Sequence, residues 1–107
     1  YAARSAIGQR ADGIVLLLVI DSNATRTKGA NMVDLTEIMQ NYGAVNAANL
    51  DGGTSSVMVM PKGIAQSEYN APCSDYRNNT YCAINDPIDG DLKHQPRPIA
   101  DAWVVVE

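Results

Sequence analysis

The chain has 107 residues, of which 46% are apolar and 19% charged, and its formal net charge is −4. This length fits one small domain, and the composition excludes a chain that is disordered throughout. An acidic chain without a cluster of Lys or Arg binds a phosphate backbone poorly, so nucleic acid is excluded as a partner. The longest apolar run, Ile14–Ile20, is far shorter than the ~20 residues of a membrane-spanning helix, so no transmembrane segment is predicted.

The first strands are predicted from residues 4–20. Arg4–Gly8 has the pattern of a short strand, and Ala11-Asp12-Gly13 is a turn signal. Ile14–Ile20 is apolar at every position, which predicts a strand buried on both faces. Asp21 places a carboxylate at the end of that strand, ahead of a polar loop.

The stretch 31–43 predicts the principal helix. Asn31 is placed to cap its N-terminus, Asp34 in the first turn favours the helix dipole, and Gly43 suits the left-handed residue after a helix. Apolar residues recur at spacings of three and four, which forms one apolar stripe: Met32, Leu35, Ile38, Met39 and Tyr42. We expect this helix to pack on a sheet rather than to carry chemistry.

The residues after the helix predict further short strands. Ala44–Leu50 and Ser55–Met60 have strand composition and are separated by Asp51-Gly52-Gly53. A turn at Pro61-Lys62-Gly63 would return the chain as a short hairpin arm at Ile64–Ser67.

The C-terminal third is predicted as a long loop followed by one strand. Residues 68–97 show no periodicity and are expected to form a long loop or insert. Ile99–Glu107, with three consecutive valines, would close the chain as a strand. This mixture of elements predicts an α+β fold with a mixed or antiparallel sheet and one principal packed helix.

The two cysteines, Cys73 and Cys82, lie in the polar stretch 68–97. The close cysteine pairs and accompanying histidines of a metal site are missing, so no metal site is predicted and a disulfide between the two is favoured. Two free thiols are the alternative. A disulfide would indicate an exported protein, which predicts a secreted or cell-surface location. No cofactor is predicted, and dependence on a metal is left open.

The segment 46–56 carries the most informative chemistry. A strand delivers the carboxylate of Asp51, two glycines follow at once, and hydroxyls come next. Glycines let a ligand approach backbone N–H groups closely, and successive N–H groups can bind an anion. This pattern indicates a phosphate cradle beside a carboxylate. The alternative is a simple hairpin turn in which Asp51 accepts backbone hydrogen bonds.

Five blocks of this sequence, in order, resemble the phosphodiester glycosidase family. They are Arg4–Gly8, Asp12–Asp21, Gly29–Gly43, Asn46–Ser56 and Arg97–Ala102. The sequence departs from the family's pattern at Ser22 and Thr54, where the family usually has glycine. Because family domains are longer, the resemblance implies that residues 1–107 are the C-terminal portion of a larger domain, and the N-terminal half is a further expected partner.

The resemblance implies hydrolysis between a sugar C1 and a phosphodiester oxygen, so a phosphorylated carbohydrate is the expected substrate. The leaving group is a phosphate monoester with a second pKa of about 6, which needs little help from a general acid. A carboxylate would attack the anomeric carbon or activate water; Asp51 is the first choice and Asp21 the second. The guanidinium forks of Arg4 and Arg97 match phosphate oxygens. Four residues would position the phosphate or the sugar: Gly52, Gly53, Ser55 and Ser56.

The alternative function is a non-catalytic fragment of the same fold. The short length and the replacement of family glycines at Ser22 and Thr54 favour this reading. Such a fragment would bind a glycan or a phosphate, or would pack against another protein.

Overall fold

The computed structural model of the chain describes residues 1–22, 27–67, 74–75, 80–86, 99 and 102–106. These residues form two antiparallel sheets and two α-helices, which confirms the predicted α+β class. The strands are β1 (Arg4–Arg10), β2 (Val15–Ile20), β3 (Ala44–Asn49), β4 (Val59–Pro61), β5 (Ser74–Asp75) and β6 (Tyr81–Ala83), and the helices are α1 (Met32–Asn41) and α2 (Lys62–Ser67).

The first sheet has the strand order β2-β1-β3, with both neighbours antiparallel to β1. The predicted turn between β1 and β2 is present, with Gly13 at φ +87°, a value that suits glycine. Asp12 supports this turn, because it accepts a hydrogen bond from the Ile14 N–H at 3.3 Å and pairs with Arg10 at 2.7 Å.

Helix α1 begins and ends as the sequence predicts. The Asn31 side chain accepts a hydrogen bond from the Asp34 N–H at 2.9 Å, and the Asp34 carboxylate accepts one from the Asn31 N–H at 3.1 Å. The two bonds form a capping box, in which two otherwise unpaired N–H groups are satisfied. Gly43 follows the helix at φ +88°. Leu35 and Met39, from the predicted stripe, are buried against Ala6 of β1.

The prediction that strand 14–20 is buried on both faces is wrong. Leu16 and Leu18 of β2 pack against the core below α1, whereas Val15 and Leu17 remain 58% and 42% exposed. Strand side chains alternate between the two faces of a sheet. Within the described residues, α1 covers one face of the first sheet, so the continuous apolar run exceeds what this face can bury.

The second sheet has the order β4-β6-β5. Two of its strands, β5 and β6, lie inside the stretch 68–97. The prediction of a long loop over this whole stretch is therefore wrong. The predicted strand 55–60 is also shorter, because Gly53–Ser55 forms one turn of 3₁₀-helix before β4.

The predicted hairpin arm at Ile64–Ser67 is wrong, because these residues belong to α2. Ala65 is fully buried, and the Ser67 hydroxyl donates a hydrogen bond to the Gly63 carbonyl at 2.6 Å. A short apolar-polar stretch fits either periodicity, and Lys, Ala and Gln are good helix formers.

The predicted strand 99–107 is not formed in its described residues, Ile99 and 102–106. The exposed fractions of Trp103, Val104, Val105 and Val106 range from 71% to 81%. Strand propensity reflects packing against neighbours rather than an intrinsic backbone preference, and these residues pair with no described strand. In the described part of the chain, no helix is both long and apolar enough to cross a bilayer.

Candidate functional site

A cleft of about 210 Å³ lies where residues 1–3, the segment after β2, the turn after β3 and the segment after β6 meet. Its lining includes six residues with polar side chains: Tyr1, Asp21, Ser22, Thr54, Ser56 and Asp86. The cleft therefore lies between segments that flank the strands of the first sheet and a residue that follows the second sheet.

Asp21 is held by two hydrogen bonds at this junction. Its Oδ1 accepts from the Asn85 side-chain amide at 2.7 Å, and its Oδ2 accepts from the Asp86 N–H at 2.8 Å. The side chain is half-buried. A carboxylate oxygen can accept more than one hydrogen bond, so both oxygens keep acceptor capacity for a ligand.

Asn85 also bonds to the segment that follows the 3₁₀ turn. Its side-chain amide donates to the Ser56 carbonyl at 2.9 Å, and its Oδ1 accepts from the Met58 N–H at 2.8 Å. Sequence analysis missed Asn85. Asn85 is a short polar residue that directly follows the apolar run 82–84. Asp21 follows the apolar run Ile14–Ile20 in the same way, so this placement could have identified Asn85 as a candidate.

Ser56 is the buried polar side chain of the cleft, with an exposed fraction of 1%. Its hydroxyl oxygen has no hydrogen-bond partner among the described residues. Buried hydroxyls without a partner are rare because each costs free energy. The Ser56 hydroxyl is thus the group at this site that has most to gain from a water or a ligand.

Four backbone N–H groups of the turn 51–56 already donate hydrogen bonds within the chain. The Gly52 N–H donates to the Asp51 carboxylate at 2.9 Å, and the Gly53 N–H donates to the Ala3 carbonyl at 2.9 Å. The N–H groups of Ser55 and Ser56 donate to carbonyls of the same turn, at 3.3 Å and 3.1 Å. A ligand at this turn would therefore meet side-chain hydroxyls rather than these four N–H groups.

The cleft lining is acidic in its side chains. Asp21 and Asp86 contribute to it, and none of the described lining residues is Lys or Arg. Across the described residues, no group of three or more His, Cys, Asp or Glu side chains is placed to hold a metal ion. Carboxylates and hydroxyls together suit a ligand that is rich in hydroxyl groups.

Comparison with known proteins decides the family. A family model described as phosphodiester glycosidase matches residues 1–106. The chain belongs to the phosphodiester glycosidase family. The predicted membership is thereby confirmed, and the match extends over both sheets and the cleft.

Three relatives illustrate the similarity. The chain is 35% identical over 74 residues to N-acetylglucosamine-1-phosphodiester alpha-N-acetylglucosaminidase of Bos taurus, and 34% identical over 74 residues to that of Mus musculus. Each alignment covers 69% of this chain and 14% of the relative. The SPbeta prophage-derived uncharacterized protein YomE of Bacillus subtilis (strain 168) is 40% identical over 53 residues, which are 50% of this chain and 8% of that protein. The chain thus matches a small part of each relative's length. No solved structure matches it.

The cleft of this phosphodiester glycosidase chain brings together three of the residues predicted from sequence: Asp21, Gly53 and Ser56. Gly52 and Ser55 belong to the same turn but do not line the cleft. Asp51 is the first residue of the turn 51–56, but it is exposed and does not line the cleft.

Two arginines were predicted to bind phosphate in the phosphodiester glycosidase site. The Nε of Arg4 donates to the Ala30 carbonyl at 3.0 Å, which ties β1 to the residue before α1, and Arg4 does not line the cleft. Arg97 lies outside the described residues. Of the cysteines, Cys82 is fully buried and is not a free thiol, whereas Cys73 lies outside the described residues, so their pairing stays a prediction.

Proposed function

We propose that this chain belongs to an enzyme that hydrolyses a sugar-1-phosphodiester and that the cleft around Asp21 receives the substrate. The observation that carries the proposal is the family match over residues 1–106, which includes every residue that lines the cleft. The names of the mammalian relatives make N-acetylglucosamine the first sugar to test.

The cleft is proposed to hold the sugar rather than the phosphate. A phosphate group carries negative charge, and its approach to the carboxylates of Asp21 and Asp86 would be repulsive. Sugar hydroxyls, in contrast, donate hydrogen bonds to carboxylates and exchange them with the hydroxyls of Thr54 and Ser56. The phosphate would then lie outside the cleft, where the predicted ligands are Arg4 and Arg97.

The chemistry needs a carboxylate close to the anomeric carbon. Asp21 is positioned within the cleft by two hydrogen bonds, and Asp51 stands two residues before the lining residue Gly53. One carboxylate would attack the anomeric carbon or activate water while the bond to the phosphate oxygen breaks. The departing phosphate monoester is a good leaving group because its second pKa is about 6.

Two further parts of the proposal concern the whole protein. The Cys73–Cys82 pair would be a disulfide in an exported protein, secreted or at the cell surface. Residues 1–107 would form the C-terminal portion of a larger catalytic domain, whose N-terminal half would complete the site.

The test is release of reducing sugar from an N-acetylglucosamine-1-phosphodiester by the protein that carries this chain. Asp21→Asn and Asp51→Asn are each expected to reduce turnover. Asp12→Asn is the matched control, because Asp12 is an exposed carboxylate in the β1–β2 turn and does not line the cleft. Full activity in both Asp21→Asn and Asp51→Asn would refute the catalytic assignment, and no turnover in the parent protein would refute the proposed function.

A second candidate function, carbohydrate binding without turnover, is favoured by one observation. The N–H groups that would stabilise a bound phosphate at the glycine turn already donate within the chain. Calorimetric titration with N-acetylglucosamine and with its 1-phosphate separates the two functions. Binding of either compound by a protein that shows no turnover would support the binding module.

A further inference from the structure

Asn85 does not line the cleft, but its side chain connects two of the segments that do. It follows β6, and it contacts the end of β2 through Asp21 and the segment before β4 through Ser56 and Met58. These contacts span 64, 29 and 27 positions of sequence.

We infer that Asn85 is a positioning residue, which fixes the Asp21 carboxylate relative to the Ser56 wall of the cleft. The inference rests on the proposed function, since it assigns Asp21 a role in hydrolysis. It adds a residue that neither the sequence motifs nor the resemblance to the family singled out.

The neighbours of Asn85 determine the orientation of its amide. The Asp21 carboxylate and the Ser56 carbonyl can only accept hydrogen bonds, so the NH₂ group must face them. The Met58 N–H can only donate, so Oδ1 must face it. Reversing the amide would place donor against donor and acceptor against acceptor, and therefore a single orientation is compatible with all three partners.

The Asp21 carboxylate depends on this amide for its direction. Asp21 Oδ1 accepts a hydrogen bond from the Asn85 side-chain amide, and Oδ2 accepts one from the Asp86 N–H. Without the Asn85 donor, one bond to the backbone would remain, and the carboxylate could rotate about it. A displacement of about 1 Å at a reacting group can reduce a rate by about 10²-fold.

Two variants separate positioning from folding. Asn85→Ala removes the donor and the acceptor together. Asn85→Asp keeps an oxygen that can accept from the Met58 N–H. Its ionised form has no donor for Asp21 or Ser56, and it brings a second negative charge within hydrogen-bond distance of the Asp21 carboxylate. Asn41→Ala is the matched control, because Asn41 is an exposed asparagine at the end of α1.

The experiment combines amide hydrogen exchange, followed by NMR, with steady-state kinetics on the sugar phosphodiester. Asn85→Ala should accelerate exchange at the Met58 amide by about tenfold or more, because its acceptor is lost. Asn85→Asp should leave that amide protected while kcat falls by about 10²-fold and KM changes little. Asn41→Ala should change neither quantity.

Each result bears on a different part of the inference. Unchanged Met58 exchange in Asn85→Ala would show that the hydrogen-bond network is absent. An unchanged kcat in Asn85→Asp would show that Asn85 does not position a catalytic group, even if the network is present. No turnover by the parent protein would refute the proposed function and, with it, the role of Asn85 in positioning Asp21 for hydrolysis. The exchange data would still decide whether Asn85 orders the cleft. If Asn85→Ala does not fold, Asn85→Asp alone decides the inference.

Discussion

Replacement of Asp21 by Asn is expected to destabilise the fold, whereas the same change at Asp51 is not. The Asp21 carboxylate accepts one hydrogen bond on each oxygen, at 2.7 Å and 2.8 Å. Asparagine has the same shape but only one acceptor oxygen, so one of the two donors would face an NH₂ group. Loss of a hydrogen bond to a charged group costs about 1.5–3 kcal/mol. Because Asp21 is half-buried, we expect the lower end, about 1.5 kcal/mol.

Asp51→Asn is the comparison for this prediction. Asp51 is exposed, and its side chain accepts a hydrogen bond from the Gly52 N–H, which the asparagine oxygen can still accept. The free energy of unfolding of the Asp51→Asn variant should therefore stay within about 0.5 kcal/mol of that of the parent protein. In thermal unfolding of the chain, about 1.5 kcal/mol corresponds to a decrease in Tm of roughly 6–12 °C for Asp21→Asn. Equal melting temperatures for the two variants would show that the hydrogen bonds of Asp21 do not contribute to stability.

Three further predictions concern the fold that supports the site. Asn31→Ala should lower the unfolding free energy by about 1 kcal/mol in urea titration, because the cap to the Asp34 N–H is lost; an unchanged midpoint would contradict the capping box. Leu35→Ala removes a core side chain that is 4% exposed, and a loss of about 2–5 kcal/mol is expected by the same assay. Gly29→Ala should lower Tm, because φ is +78° and a Cβ would overlap a backbone carbonyl. Gly63→Ala, which has open space, is the control and should raise Tm slightly.

The helical part of the fold is the part that the sequence predicts best. The signals of α1 are local: Asn31 and Asp34 satisfy each other's N–H groups, and Gly43 adopts the left-handed conformation that it was expected to adopt. Such signals depend on residues within one or two turns of the helix. These local signals specify the helix ends regardless of which residues pack around the helix.

Elements whose signals depend on distant partners were predicted less well. The apolar run of β2 indicates burial on both faces, but its exposure depends on what packs above the sheet. Residues 102–106 have strand composition without a described strand to pair with, and the short stretch 64–67 fits a helix or a strand equally well. In each case the structure that forms depends on interactions with residues that are distant in the sequence.

The residues of the candidate site show the same difference between local signals and contacts with distant residues. Asp21 and Ser56 were selected because they follow strands or glycines, and the structure places both at the cleft. Asn85 was missed because its importance arises from contacts with residues 27–64 positions away. Neither composition nor periodicity records such pairings, and the stretch that contains Asn85 has no repeating pattern.

The 64 positions that separate Asp21 from Asn85 also have a consequence for the order of folding. The β1–β2 hairpin and α1 require only short loop closures, whereas a closure of this length costs more conformational entropy and comes later. During synthesis on the ribosome, the residues of the first sheet and its helix, which end at Asn49, emerge before residue 85. Until then, Asp21 is hydrated like any surface carboxylate. The cleft would thus be assembled last, around a core that is already in place.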